Sequence, residues 1–317
     1  MRPMRPNPLI PSFTIFYKIL IKLFKYIPVC KITKKSGIIV YLSSKFINML
    51  SNLNILITND DGLGAKGLLE LVSVMRPYGH LTIVAPKRPQ SGMSVAVSLG
   101  ATLMSFKTVH EEEGETWSYL DATPASCVKY ALDKIFPDRK CDVVISGINH
   151  GTNAATATNY SGTLGAAEEA AINGIPAFGV SLCEFDDEPD FSNVKKYFPA
   201  IFEKIMSNLP QRKGISYNIN FPPPYVPIKG VRVCHQGMGY WIEELEPWNG
   251  SIPEEGIEEG EKMFVMRGKF VDATPEEDRL ADHHAVKDGY VSIAPQTFIR
   301  TDFVEEDRLN GFMNADF

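Results

Sequence analysis

The first 53 residues contain no aspartate or glutamate, although the whole chain has 38. Nine of the 32 lysines and arginines fall in that stretch, leaving 23 basic against 38 acidic side chains in the remainder. So acidic a body excludes a general nucleic-acid binder, which would need a basic face to neutralise phosphates. Cysteine is also scarce. Cys30, Cys127, Cys141, Cys183 and Cys234 are an odd set, widely spread, with no CxxC pair and no metal-ligand spacing. That excludes a disulfide framework or a thiolate zinc module and predicts reduced thiols, most of them packed as small hydrophobes. No charge-free apolar run approaches the roughly 20 residues of a spanning helix, because Lys18, Lys22 and Lys25 interrupt the apolar stretch from Leu9 to Val29. An unbroken apolar stretch with a small-residue cleavage site, the mark of a secretory signal, is missing too. The expectation is a cytoplasmic protein with no internal repeat. Those three lysines share one helical face, which would suit a basic helix lying on a membrane surface. The plainer reading makes residues 1–53 a basic extension, much of it upstream of a natural start at Met49.

From Asn54 onward, short apolar runs alternate with helical stretches. This order predicts an α/β, Rossmann-like fold: a mainly parallel sheet with helices on both faces. Expected strands are Asn54 to Thr58, Leu81 to Ala85, Asp142 to Ile145, Ala177 to Ser181 and Ser216 to Phe221. Expected helices are Lys66 to Arg76, Thr123 to Ile135, and one running through Ala166 to Ile172. Residues 54–222 thus form the expected catalytic core. After Pro222 the texture changes to prolines, the aromatic pair Tyr240-Trp241 and an acidic tract, so 223–317 reads as a carboxyl-terminal extension of β-hairpins with an oligomerisation arm.

The first strand ends in Asn59-Asp60-Asp61-Gly62. In open parallel sheets the carboxyl edge is where ligands bind, and two adjacent carboxylates held there call for a cation with a preference for oxygen ligands. Two other strand exits carry polar groups: Gln90-Ser91-Gly92 after the second and Ser146-Gly147-Ile148-Asn149 after a later one. Parallel strands bring such ends to one edge. Asp60, Asp61, Ser91 and Asn149 would then make an all-oxygen site with room for water and phosphate. Ser161-Gly162-Thr163 opens a helix, and its outward N–H groups could hold an anion. The plain alternative there is a helix cap.

These segments, in this order, resemble the SurE family of 5'-nucleotidases. The resemblance rests on NDDG at 59–62, the Ala85 to Gly92 segment, SGIN at 146–149 and YSGTLGAA at 160–167. The later Tyr217 to Pro222 and Asp288 to Pro295 are similar to further family segments, so the likeness spans about residues 54 to 300. It implies a phosphohydrolase acting on nucleoside monophosphates, and also on other phosphomonoesters or short polyphosphate. A divalent cation, Mg²⁺ or Mn²⁺, one per subunit, is implied on Asp60, Asp61, Ser91 and Asn149. Of these, Asp60, Asp61 and Asn149 are expected to carry catalysis, and Ser91, Asn149, Ser161, Gly162 and Thr163 to contact phosphate. A homodimer or homotetramer with no stable nucleic-acid partner is implied as well. One departure is Ala122 and Ser126, where the family often has Gly and Asp, which weakens any inference about sugar or base contacts there.

Two other readings compete. A catalytically silent nucleotide-binding module on the same fold would not need paired carboxylates, which repel phosphate unless a metal intervenes. A dinucleotide-binding oxidoreductase is formally allowed by Gly62, Gly64 and Gly67, but Asp60 and Asp61 would face the pyrophosphate. His150, His283 and His284 are candidate proton donors to a leaving oxygen, and Tyr240 and Trp241 candidates for stacking on a base.

Overall fold

Strand β1, Leu53–Thr58, carries Ile55, Leu56 and Ile57 with no exposure at all. A strand apolar on both faces must be covered on both faces, and that requirement organises the molecule. The computed structural model describes residues 50–313 apart from 187, 249 and 251–259. Residues 1–49 of the basic extension, with its helical lysine face and Met49, lie outside the described residues.

In chain order, β1 is followed by α1 (Lys66–Met75), β2 (Gly79–Pro86), β3 (Phe106–Glu112), β4 (Glu115–Leu120), α2 (Pro124–Tyr130) and β5 (Val143–His150). Then come α3 (Gly162–Ile172), β6 (Ala177–Leu182), α4 (Ser192–Met206), β7 (Ile215–Phe221) and β8 (Gly230–Val233). The remainder is β9 (Gly239–Ile242), β10 (Leu245–Pro247), β11 (Phe264–Met266), β12 (Lys269–Asp272), α5 (Asp282–Lys287), β13 (Tyr290–Thr297) and α6 (Phe303–Met313). Nine strands form one sheet in the order β3-β4-β2-β1-β5-β6-β7-β13-β8. Six neighbours, β4 to β7, run parallel; β3 and β13 pair antiparallel to β4 and β7. The expected mainly parallel α/β architecture with appended hairpins is what forms.

The alternation along β1 sends Ile55 and Ile57 to one layer and Leu56 to the other. The first layer packs α1 (Leu68, Leu71, Val72) against α4 (Val194, Phe198, Phe202). The second packs α2 and α3 through Cys127, Val128, Ala166 and Ala170. Small alanines on α3 let it sit close to the sheet. Of the cysteines, Cys127, Cys141 and Cys234 are buried free thiols and Cys183 is half-buried. Burial pushes Cys141 and Cys183 up to about 12, which makes them poor nucleophiles.

Several elements were not anticipated, among them the helices α5 and α6 inside the stretch read as hairpins. Helix α4 shows the i, i+3, i+4 stripe Val194, Phe198, Ile201 and Phe202, but Pro199 in its interior reads as a breaker. The β3–β4 hairpin extends the sheet edge, and β13 enters the main sheet between β7 and β8 instead of staying with the outlying hairpins. The expected exit at Ser146 to Asn149 is instead still strand, with a register irregularity between Gly147 and Asn149.

Candidate active site

The strand order reverses between β2-β1 and β5-β6, so β1 and β5 flank the point where the crossovers diverge to opposite faces. Here an open α/β sheet has a crevice at its carboxyl edge. Asp60 and Asp61 leave β1 at that edge, and Asn149 ends β5 beside them.

The Asn59-Asp60-Asp61-Gly62 turn is held from within. Asn59 Nδ2 donates to Gly62 O at 2.9 Å, and Gly62 N–H donates to Asn59 Oδ1 at 3.2 Å. Gly62 adopts φ +97°, a conformation that disfavours a side chain. The second strand exit is tied on: Gln90 N–H donates to Asp60 O at 2.7 Å and Leu63 N–H to Pro86 O at 3.1 Å. Gly67 is needed for a different reason, since a Cβ there would lie 2.0 Å from Ile148 O. The glycines at 62 and 67 are thus explained by a turn and by helix-to-strand packing, with no dinucleotide required.

Asp60 is 3 % exposed. Burial pushes its carboxyl from the usual 3.8 up to about 6; the Thr163 hydroxyl pulls the other way and the neighbouring Asp61 charge adds to the rise. Thr163 Oγ1 lies 2.5 Å from Asp60 Oδ1 and 3.4 Å from Asn149 Oδ1. A hydroxyl has one proton to give, and the shorter contact receives it. Asn149 Nδ2 donates to Gly151 O at 2.9 Å, which fixes its amide with the oxygen towards Thr163. Asp61 is also raised by burial, partly countered by the His150 backbone amide.

Behind these groups stands the amino terminus of α3. Ser161 Oγ accepts from Leu164 N at 3.1 Å and caps the helix. Gly162 permits the approach: a Cβ there would meet Asp60 Cβ at 2.9 Å and Gln90 O at 3.1 Å. Thr163 is fully buried and serves Asp60. The positive end of the helix is therefore aimed at the carboxylate pair.

A cavity of about 250 Å³ opens over this edge, lined by Asp60, Asp61, Ser91, Asn149 and Ser161 among others. Of the residues expected to touch metal or phosphate, those five line it, while Gly162 and Thr163 stand just behind. Three aromatic residues that also line it, Tyr160, Phe185 and Trp241, belong to separate segments, and Trp241 meets Tyr160 edge-to-face at 5.8 Å. Among the described residues, no lysine or arginine lines it. His150 does, with its Nε2 buried and without a hydrogen-bond partner. His283 and His284 do not; they pair with Asp272 instead. Nor do the residues at the departure from the family pattern: Thr123 Oγ1 caps α2 at Ser126 N, and Ser126 Oγ accepts from Ser98 N.

One feature of the cavity was not legible in local motifs. The loop carrying Asn153 is pinned by a buried amide network: Asn153 N–H donates to Asn220 Oδ1, its Nδ2 to Ser181 Oγ, and Asn218 Nδ2 to Asn153 O, all at 2.8 to 2.9 Å. Pairing of β5 with β6 and of β6 with β7 brings the loop of Asn153 over Ser181 and the two asparagines of β7.

Comparison with known proteins agrees with this geometry. Residues 55–243 match the family described as Survival protein SurE. A protein of Cytophaga hutchinsonii named 5'-nucleotidase SurE is 38% identical over 83% of this chain and 96% of its own length. Another so named, from Phocaeicola vulgatus, is 40% identical over 76% and 89%. The crystal structure of the SurE protein from Aquifex aeolicus superposes with TM-score 0.66 at 26% identity, covering 82% of this chain and 99% of that one.

Proposed function

This chain belongs to the SurE family, and on that premise we propose that it is a 5'-nucleotidase, hydrolysing the phosphomonoester of nucleoside monophosphates with the help of a divalent cation. The observation that carries the reading is a pair of adjacent carboxylates, one almost fully buried, lining a cavity to which the described residues bring no lysine or arginine. A phosphate dianion would be repelled from such a cavity unless positive charge entered with it. The donors fit a hard ion: carboxylates of Asp60 and Asp61, the amide oxygen of Asn149 and the hydroxyl of Ser91 are all oxygen ligands. One Mg²⁺ or Mn²⁺ per subunit on these residues would supply the charge that balances phosphate and its transition state.

The protein's own groups then divide the work. Thr163 fixes Asp60 in one orientation through Oδ1. Asp61, less buried than Asp60, is the carboxylate placed to accept a proton from an attacking water. His150 lines the cavity with its Nε2 buried and unpartnered, and a turn of the ring would bring that nitrogen to the leaving oxygen to give it a proton. The amino terminus of α3 at Ser161 and Gly162 orients the phosphate. Tyr160, Phe185 and Trp241 provide apolar faces for the nucleoside, and other phosphomonoesters would bind without that contribution. A second copy would cover the exposed Leu245, Phe264 and Met266 of the hairpins and Phe303 and Val304 of α6, giving a homodimer or homotetramer.

The test is phosphate release from a panel of nucleoside monophosphates with and without Mg²⁺ or Mn²⁺, in the native chain and in Asp61→Asn. Metal-dependent release lost in the variant is expected. Nucleotide binding without release under any metal would instead favour a silent binding module. A phosphoryl adduct trapped on Asp60 would replace direct attack by water with a covalent route.

A further inference from the structure

Away from that cavity, Asp272 at the end of β12 meets His283 and His284 at the start of α5. One ligand atom from each of the three lies within 4.8 Å of the others. His284 Nε2 is 2.7 Å from Asp272 Oδ2, and His283 Nε2 is 3.0 Å from Asp272 Oδ1. The far side of each ring is backed by an oxygen: His284 Nδ1 lies 2.8 Å from the Asp278 carbonyl, and His283 Nδ1 3.6 Å from Asp282 Oδ1.

The proton positions follow from this. A carbonyl only accepts, so His284 Nδ1 carries the hydrogen and, in the neutral ring, Nε2 presents a bare lone pair to a carboxylate. His283 Nε2 approaches the same carboxylate yet makes no hydrogen bond. The lone pair of His284 Nε2, the Asp272 carboxylate and His283 Nε2 therefore converge on one small space. Protonating both rings would set two imidazoliums with centroids 4.2 Å apart on side chains only 17 % and 9 % exposed, and protonating His284 alone would pair it with Asp272 and leave His283 Nδ1 unsatisfied. A single divalent cation satisfies all three groups at once. The surroundings of His284 are also those of a metal-bound imidazole, whose second nitrogen is held by a carbonyl or carboxylate that sets tautomer and ring orientation.

We propose that Asp272, His283 and His284 form a second cation site, distinct from the Asp60-Asp61 edge and suited to a transition ion of the zinc type. Two imidazoles and one carboxylate are a borderline donor set that Mg²⁺ does not favour, and three protein ligands leave a position for water. Asp272, 40 % exposed, keeps that position open to solvent. The ion would clamp α5 to the β9–β12 ribbon. Phe270 on that ribbon packs against His283 at 5.9 Å on one side and Trp241 at 5.1 Å on the other, so the clamp reaches the aromatic wall of the cavity.

The experiment uses the full chain, stripped of metal and titrated with Co²⁺ in excess Mg²⁺, reading visible ligand-field absorption. Bands saturating at one equivalent are expected. They should persist in the double variant Asp60→Asn/Asp61→Asn, and in both His284→Gln and Asp272→Asn the affinity should fall about tenfold or more, with circular dichroism confirming the fold. Zn²⁺ should raise the melting temperature of the native chain and not of Asp272→Asn. The proposal is overturned if the native chain shows no bands at one equivalent. It is equally overturned if the bands survive both cluster variants, or vanish when Asp60 and Asp61 are changed.

Discussion

Replacing Asp60 by asparagine should make the metal-free protein more stable while removing its proposed activity. Burial raises this carboxyl from 3.8 to about 6, and each unit corresponds to about 1.4 kcal/mol. Ionising Asp60 in the folded state at neutral pH therefore costs the fold about 3 kcal/mol. The sign follows from the raised value: below about pH 4 the group is protonated in both states and the penalty is absent. It grows as pH rises towards 6, where the unfolded chain ionises first, and is complete above. The asparagine amide would keep an oxygen to accept the Thr163 hydroxyl but carry no charge. Allowing for imperfect replacement, a gain of about 1–3 kcal/mol is expected near pH 7, and none near pH 4. At about 2–4 °C per kcal/mol for a chain approaching this size, melting should rise by several degrees. The assay is thermal unfolding by circular dichroism in EDTA at both pH values, repeated with Mg²⁺ or Mn²⁺. Cation should stabilise the native chain and leave the variant unmoved. A variant that melts at or below the native temperature at both pH values would refute the idea that the site stores uncompensated charge.

Three further outcomes are expected. At limiting cation, phosphate release should fall as pH drops through about 6, because protons compete for Asp60, and more cation should move the fall to lower pH; a profile independent of cation concentration would contradict this. Gly162→Ala places a methyl 2.9 Å from Asp60 Cβ and 3.1 Å from Gln90 O, so it should cost about 1–3 kcal/mol of stability and most of kcat/KM, both measurable on one preparation. Trp241→Ala should raise KM for nucleoside monophosphates about 2- to 10-fold, the value of one aromatic contact, and shift KM for a phosphomonoester without a base much less.

The parts of the fold visible in the sequence are those fixed by short-range pattern. The buried run Ile55 to Ile57 can only be a doubly covered strand, and Asn59-Asp60-Asp61-Gly62 turns through bonds within four residues. Parallel connectivity then places Asp60, Asp61, Ser91 and Asn149 on one edge without knowledge of any distance. What stayed hidden depends on partners remote in the chain. Pro199 disguised α4, whose apolar stripe is decided by the face of α1 and β6 beneath it. The insertion of β13 between β7 and β8 rests on pairing with β7 residues 72 to 82 positions earlier. Thr163 could be read as cap or phosphate ligand; its burial against Asp60 is a tertiary fact. Phe185 carries no motif at all, and only the path of the chain after β6 brings it to the cavity.

The ribbon that carries Trp241 lies outside the nine-stranded sheet, while both carboxylates are rooted in the sheet's centre. Substitutions on the ribbon would therefore leave the packing beneath the two carboxylates unchanged. A lineage could drift from one base preference to another, or lose the preference altogether, while inheriting the same hydrolytic machinery unchanged.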